Sequence, residues 1–447
     1  MSPTEPGPAD ADAPVIVAAG PETDDAASDA AVVASVAGLG GSAELIADSV
    51  GDYARIWLQR VRNGESGALP VVLGLAAVVI YFQVRNSLFL SAGNLVNLMV
   101  LSAPFIIFGM AEIFVLLLGE IDLSVGYNAG CGAVVTLWTA YTQPWWVAIL
   151  LGLAFSAFVG AVQGTLITRL GLPSFVVTLA GLLGLEGLMQ ILVSKSGHGA
   201  GGSINVPSKI LDDFTSGNLS SSAGWVVMVG LVGLAGLFMA LRDGRRRSSG
   251  LVAPPLGVTL LKVAVMAVAG VVVVLVSNAN RGAGLSTLRG VPWVVLIVLG
   301  ILVLYTVLTG RTRFGRYIYA IGGNAEAARR AGVNLAVIRT LAFTLCGLTA
   351  GIGGILLASQ LNSIGTTLNG GQYVLFAVAA AVIGGTNLFG GRGRMLYAVL
   401  GGLVVATIAN GLALIGMTAA ATNIITAIVL LAAVTIDTVA RRSRVAS

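Results

Sequence analysis

Two carboxylates separated by one residue stand where an apolar chain can least easily hold them. Glu120 and Asp122 lie in Gly119-Glu120-Ile121-Asp122-Leu123-Ser124-Val125-Gly126, between two apolar runs. An ionised carboxylate beside lipid is costly unless it is paired or wetted. With Ser124 and the flanking Gly119 and Gly126, the pair describes a helix break whose freed backbone must face a cavity or a packed interface. Carboxylates marking a loop at the membrane edge would give the same spelling. Glu112 and Glu186 each stand alone in an apolar run. A proton or sodium site is one use for such a group, and a carboxyl hydrogen-bonded between helices is the reading favoured for both.

The second candidate lies between runs. In Gly323-Asn324-Ala325-Glu326-Ala327-Ala328-Arg329-Arg330-Ala331-Gly332, Asn324 can cap a short helix. Glu326 falls near the positive end, Arg329 and Arg330 near the negative end, and Gly332 stops the helix. Glu326 precedes the two arginines by three and four residues, within pairing reach. Ala325, Ala327, Ala328 and Ala331 are read as a small-residue face open to a docking surface. Catalysis has little to work with. The one histidine, His198, is a loop residue far from the carboxylates, and Cys131 and Cys346 sit in apolar runs. Lys195, Lys209 and Lys262 are the three lysines, and none occupies a G-x-x-x-x-G-K-[ST] phosphate loop. Leu368-Asn369-Gly370-Gly371-Gln372 resembles an ATPase signature, but without a phosphate loop it reads as coincidence. No metal site and no cofactor of this chain are expected.

The elements that position these residues follow from composition. Of 447 residues, 56% are hydrophobic and 10% charged, and the mean hydropathy is +0.92. A soluble fold of this size needs far more charged surface. Twelve apolar runs lie at 68–86, 95–118, 125–142, 145–167, 173–194, 224–241, 257–277, 291–309, 338–361, 372–389, 395–414 and 417–439. The chain is therefore read as an all-α polytopic integral membrane protein, with about 10–14 transmembrane helices.

Residues 1–54 hold ten acidic and no basic residues; the remainder carries all 25 basic residues. The arginines cluster at Arg242–Arg247, Arg311–Arg339 and Arg441–Arg444, which puts both termini in the cytoplasm if the span count is even. This charge orients a membrane protein and gives no reason to expect nucleic acid. The expected organisation is a disordered acidic tail (1–42) without a signal peptide's basic start, a membrane-surface helix (43–67), a transmembrane domain (68–439) and a basic tail (440–447).

The chain also reads as a repeat. Gly384-Gly385-Thr386-Asn387-Leu388-Phe389-Gly390-Gly391 matches the pattern of Gly119–Gly126 at a distance of 265 residues. Leu170–Phe175 and Ile415–Ala420 head similar runs. Transporters often carry such halves with broken helices at their interface. Gly119, Glu120, Asp122, Ser124, Gly126, Gly384, Gly385, Thr386 and Asn387 are accordingly the pathway or gating candidates.

Four ordered segments carry a family resemblance. Gly119–Gly126 resembles the "GGIDLSVG" signature of the membrane permeases of bacterial sugar ABC importers. Pro173–Gly181 is similar to a second signature, Gly315–Val333 to the family's cytoplasmic coupling region, and Ala381–Gly393 to a fourth segment. Among the ribose, galactose and xylose importers the likeness is nearest to the xylose-type permeases, whose habit Glu120 follows; residues 195–300 match poorly. The resemblance implies a subunit of the bacterial cytoplasmic membrane that works as a homodimer and moves a monosaccharide, a pentose such as xylose or a similar sugar or polyol, by alternating access. It implies separate ABC ATPase subunits that bind ATP and Mg and push on the 323–332 helix, and an extracytoplasmic sugar-binding protein. Glu326→Pro or Gly332→Val is expected to abolish coupled uptake. An ion-gradient-driven sugar transporter using Glu112, Asp122 or Glu186 is the alternative.

Overall fold

The computed structural model describes residues 51–53, 55, 56, 58, 69–251, 253–282, 287–418, 420–428, 431 and 435. The 1–42 tail, most of the 43–67 surface helix and the 440–447 tail lie outside the described residues. Contacts divide the chain into two units, residues 1–57 with 238–261, and residues 58–237 with 262–447.

Eleven of the twelve apolar runs coincide with helices. These are α1 (Leu69–Arg85), α2 (Ala92–Leu116), α3 (Val125–Ala140), α4 (Trp145–Arg169), α5 (Ser174–Lys195), α7 (Ser221–Ser248), α8 (Leu256–Asn278), α9 (Trp293–Arg311), α12 (Leu335–Leu361), α13 (Gly370–Ile383) and α14 (Met395–Leu414). The twelfth run is helical at its described positions 420–428. Short helices α6 (Lys209–Ser216), α10 (Arg313–Gly323) and α11 (Ala325–Arg330) lie in the connections. Strands β1 (Ser203–Asn205) and β2 (Ser363–Gly365) form a small antiparallel pair with Ile204 opposite Ile364. Among the described residues, eight helices are long and apolar enough to cross a membrane. α3 and α13, with 16 and 14 residues, are not. At 1.5 Å per residue they reach only about 21–24 Å of a hydrocarbon core near 30 Å.

The smaller unit contains the end of α7 and the start of α8, where the buried carboxylate of Asp243 accepts from Arg242 (2.8 Å) and Thr259 (2.9 Å). In the larger unit α2, α12 and α14 are mostly buried. Close backbone approach makes this core possible: Gly160 and Gly164 of α4 lie against Phe343 and Thr340 of α12, and Gly347 and Gly351 of α12 against Ser156 of α4. Such small-residue contacts replace the hydrophobic drive that lipid cannot supply.

The element order repeats with inverted direction. α3 begins at 125 and α13 at 370, 245 residues apart. α2 and α12 precede them, and α4 and α14 follow, at nearly the same spacing. This agrees with the match of Leu170–Phe175 to Ile415–Ala420 and corrects the match of Gly119–Gly126 to Gly384–Gly391. The counterpart of Gly119–Gly126 is the stretch Ile364–Gly371. The end of α2 lies beside the start of α12, where Glu120 pairs with Arg339, so these two helices run oppositely. α4 ends on that same face, with Thr168 3.2 Å from Thr340, whereas α14 begins there. The N-terminal ends of α3 and α13 meet inside the bundle: a side chain on Gly126 would collide with the Gly370 carbonyl, and one on Gly370 with the Tyr127 ring. Each of these half-helices is reached by a non-helical segment, residues 117–124 and 362–369 respectively.

Candidate functional site

The buried half of the site is built at the N-terminus of α3. Asp122 and Ser124 are both fully buried. Asp122 Oδ1 accepts from the Ser124 backbone N–H (2.9 Å) and from its Oγ–H (2.6 Å), and Gln163 Nε2 of α4 donates to Ser124 Oγ (2.8 Å). Cys346 Sγ of α12 lies 3.7 Å from Asp122 Oδ2. The Asp122 carboxylate is thus partnered by Ser124 and by Cys346 of α12, with Gln163 of α4 bonded in turn to Ser124, as the low local dielectric demands.

Glu112 differs. It is 0% exposed and neither carboxyl oxygen meets an aligned donor, although the Asp122 backbone N–H lies close by; the expected bond to a side chain of a neighbouring helix is not found. Asp122 is near enough for the two charges to interact, and Cys346 faces both. Glu186 is also not isolated: the Tyr127 phenol bonds to it. Glu120 is held by Arg339, Nε 3.2 Å from Oε1, without the alignment of a hydrogen bond.

The second half is a junction of backbones. Gly119 adopts φ +78° and its Cα faces the Phe389 carbonyl; Gly390 and Gly391, at φ +86° and +73°, face Gly322. The Gly391 N–H donates to the Leu117 carbonyl (2.9 Å). Any side chain on Gly322 would strike that same carbonyl and the Gly391 nitrogen. Tyr319 Oη closes the contact by donating to the Gly393 carbonyl (2.7 Å). The two glycine-broken candidates and the end of α10 therefore touch, although they lie far apart in sequence. Gly384 packs on the Tyr397 carbonyl, Gly385 has φ +114°, and Thr386 is buried. Asn387 fixes a tight turn by donating from its backbone N–H to the Arg392 carbonyl (2.8 Å) and from Nδ2 to the Gly390 carbonyl (2.9 Å). At the tip of this turn Phe389 is 83% exposed. Sequence reasoning passed over it; an aromatic residue between two glycine pairs was the available signal.

One residue beyond Gly323, α11 has both caps. Asn324 Oδ1 accepts from the Ala327 N–H (2.9 Å). Gly332, at φ +82°, closes the far end, where its N–H donates to the Arg329 carbonyl and that of Val333 to the Ala328 carbonyl, both 3.0 Å. This paired closure is the Schellman arrangement. Glu326 pairs with Arg329 (2.9 Å) and Arg330 (3.0 Å). The Arg329 and then the Arg330 guanidinium hold its carboxyl below the ordinary glutamate range. The alanines do not share one open face: Ala328 is buried and Ala325 half-buried, while Ala327 and Ala331 are exposed with Glu326, Arg329 and Arg330. Proline at 326 would fall in the first turn, where proline is tolerated, so it is a poorer breaker than the sequence alone suggested.

The ATPase-like Leu368–Gln372 segment is a helix start, in which Asn369 Oδ1 accepts from the Gln372 N–H (3.2 Å). His198 stacks on Tyr141, with ring centroids 3.7 Å apart, and Cys131 is buried, its thiol donating to the Leu185 carbonyl.

Residues 94–434 match the model of the family described as branched-chain amino acid transport system / permease component. The chain belongs to this permease family. It is 31% identical over 378 residues to the xylose transport system permease protein of Escherichia coli (strain K12), covering 83% of this chain and 92% of the relative. The xylose transport system permease protein of Haemophilus influenzae is 30% identical over 82% of this chain and 95% of its own length. The ribose import permease protein of Escherichia coli (strain K12) is 29% identical over 86% and 95%. No solved structure matches the chain. Within this permease the matched span contains the α3 and α13 half-helices, the glycine junction and α11.

Proposed function

We propose that the chain is the membrane subunit of an ATP-binding-cassette importer that moves a neutral monosaccharide, of the pentose kind named for its xylose relatives. Two copies enclose the path in a bacterial cytoplasmic membrane, with both termini and α11 on the cytoplasmic side. Separate ATPase subunits bind ATP and Mg and press on the exposed Glu326–Arg330 face of α11, and a binding protein delivers sugar at the opposite face. The observation that carries this reading is the glycine junction. α11 follows directly on Gly323, and Gly322 touches both Leu117 and Gly391, so displacement of α11 is passed to both broken segments at once. Gly119, Glu120, Asp122, Ser124, Gly126, Gly384, Gly385, Thr386 and Asn387 act in this reading as the moving hinge, with Gly323, Asn324, Ala325, Glu326, Ala327, Ala328, Arg329, Arg330 and Gly332 as its handle.

The test is uptake by proteoliposomes holding the permease with its ATPase and binding protein. Gly332→Val places a β-branched residue at φ +82°, and Gly322→Val wedges the junction. Both are expected to abolish sugar-stimulated ATP hydrolysis while the chain still inserts; normal coupling in both would end the proposal. The fully buried Glu112, which has only the Asp122 backbone beside it and no aligned donor, favours a second reading, in which a proton or sodium gradient drives the sugar. Uptake by the chain alone, driven by such a gradient without ATP, would establish it.

A further inference from the structure

The candidate residues at the two breaks that the sequence pointed to are largely enclosed: Asp122, Ser124 and Thr386 are buried. An open polar surface exists elsewhere at membrane depth. The 362–369 segment enters the bundle from the β2 side and ends where Gly370 abuts Gly126. Tyr373, one turn into α13, stacks on Phe105 and meets Phe108 edge-on near the middle of the 25-residue α2, which puts the end of the segment well inside the bundle. Non-helical backbone at such depth is tolerated only against protein or a water-filled cavity. Here Thr367 and Asn369 are exposed.

Their neighbours continue the surface. Leu368 and Met189 of α5 flank the same point, Gly130. On either side of Met189, Gln190 is exposed and Glu186 half-buried, bonded by the Tyr127 phenol. Past the α13 cap, Gln372 Nε2 donates to Asn423 Oδ1 (2.7 Å), whose residue is exposed on the last helix. Lipid offers no partner to this set of amides, hydroxyl and carboxyl. The lipid-exposed helices look different: the outer faces of α7 and α8 present Val229, Leu234, Val265 and Val268.

We propose that Glu186, Gln190, Thr367, Asn369, Gln372 and Asn423 line the solute path and set its preference for an uncharged, polyhydroxylated ligand, with the same surface of a second copy closing the path from lipid. Amides and a hydroxyl can each exchange donors and acceptors with sugar hydroxyls, and the path carries one carboxyl, already engaged by Tyr127. This assignment rests on the sugar-permease reading above.

Thiol labelling in the intact complex tests it without requiring ATP hydrolysis, so its failure is distinct from a failure of coupling. Cys131 and Cys346 are buried, leaving a low background. Asn369→Cys and Gln190→Cys are treated with a membrane-impermeant methanethiosulfonate, with Val265→Cys on α8 as the lipid-facing reference. Both are expected to react at least roughly tenfold faster than the reference, and D-xylose, D-ribose or D-allose is expected to slow labelling at Asn369→Cys. Gln190 makes no cap, so Gln190→Cys keeps the test valid if loss of the Asn369 cap disturbs folding. Labelling of both no faster than the reference would overturn the path. Rapid labelling that none of the three sugars changes would overturn the ligand assignment.

Discussion

The two approaches to the half-helices are built alike and dressed differently. Before α3, the polar residues of 117–124 turn inward: Asp122, Ser124 and Gln163 satisfy one another in a closed core. Before α13, the polar residues of 362–369 turn outward: Thr367 and Asn369 are exposed. Ser124 and Asn369 stand 245 residues apart at matching positions of the repeat. One is immobilised by a buried carboxylate and the other caps its helix from an open surface. An inverted repeat therefore lets one backbone device serve two ends, a tightly packed pivot in one half and an exposed polar surface in the other.

The largest effect expected from breaking this contrast is at the pivot. Gly126→Val drives a branched side chain into the Gly370 carbonyl. Backbone cannot yield as a side chain can, and a cost of about 3 kcal/mol or more should appear as loss of the folded complex in thermal unfolding by detergent-solubilised fluorescence. Asp122→Ala comes next. It removes the acceptor of the buried Ser124 N–H and Oγ–H, with a penalty of about 1–3 kcal/mol in the same assay, and Asp122→Asn should recover part of it. Asn369→Ala removes only an exposed cap, about 1 kcal/mol, yet it should lower uptake more than Asp122→Asn does. A larger stability loss at Asn369 than at Asp122 would erase the contrast.

The smallest effect is at α11. The arginine pairs hold the Glu326 carboxyl below its ordinary titration range, so their contribution is complete above the ordinary glutamate value. It is lost only as pH falls through the depressed one. Hydrogen exchange of the α11 amides should accordingly be insensitive to pairing between pH 6 and 8, once corrected for intrinsic exchange, and Glu326→Gln should change it only slightly.

Much of this organisation was legible in the residues. Eleven apolar runs became helices because runs of that length have few other solutions in lipid, and the α11 caps were spelled by Asn324 and Gly332 because capping is local chemistry. The repeat period is obscured by the shared glycines. Gly384–Gly391 looks like Gly119–Gly126 through shared glycines, whereas the true counterpart of Gly119–Gly126, Ile364–Gly371, shares its place in the fold and little spelling. Burial was the other gap. Nothing in the sequence separates Asp122, which found side-chain partners, from Glu112, which found none, and the inward turn of Ala328 depends on packing against distant residues. The contact of Gly322 with Leu117 and Gly391 was likewise beyond reach, since three backbone segments leave no side-chain pattern to read.

The most direct test is solute uptake by vesicles containing this chain, first alone and then with its ATPase subunits and binding protein. ATP-dependent accumulation of D-xylose or a related sugar only in the full assembly, lost with Gly322→Val, is the predicted result. Accumulation by the chain alone, with no nucleotide present, would contradict it.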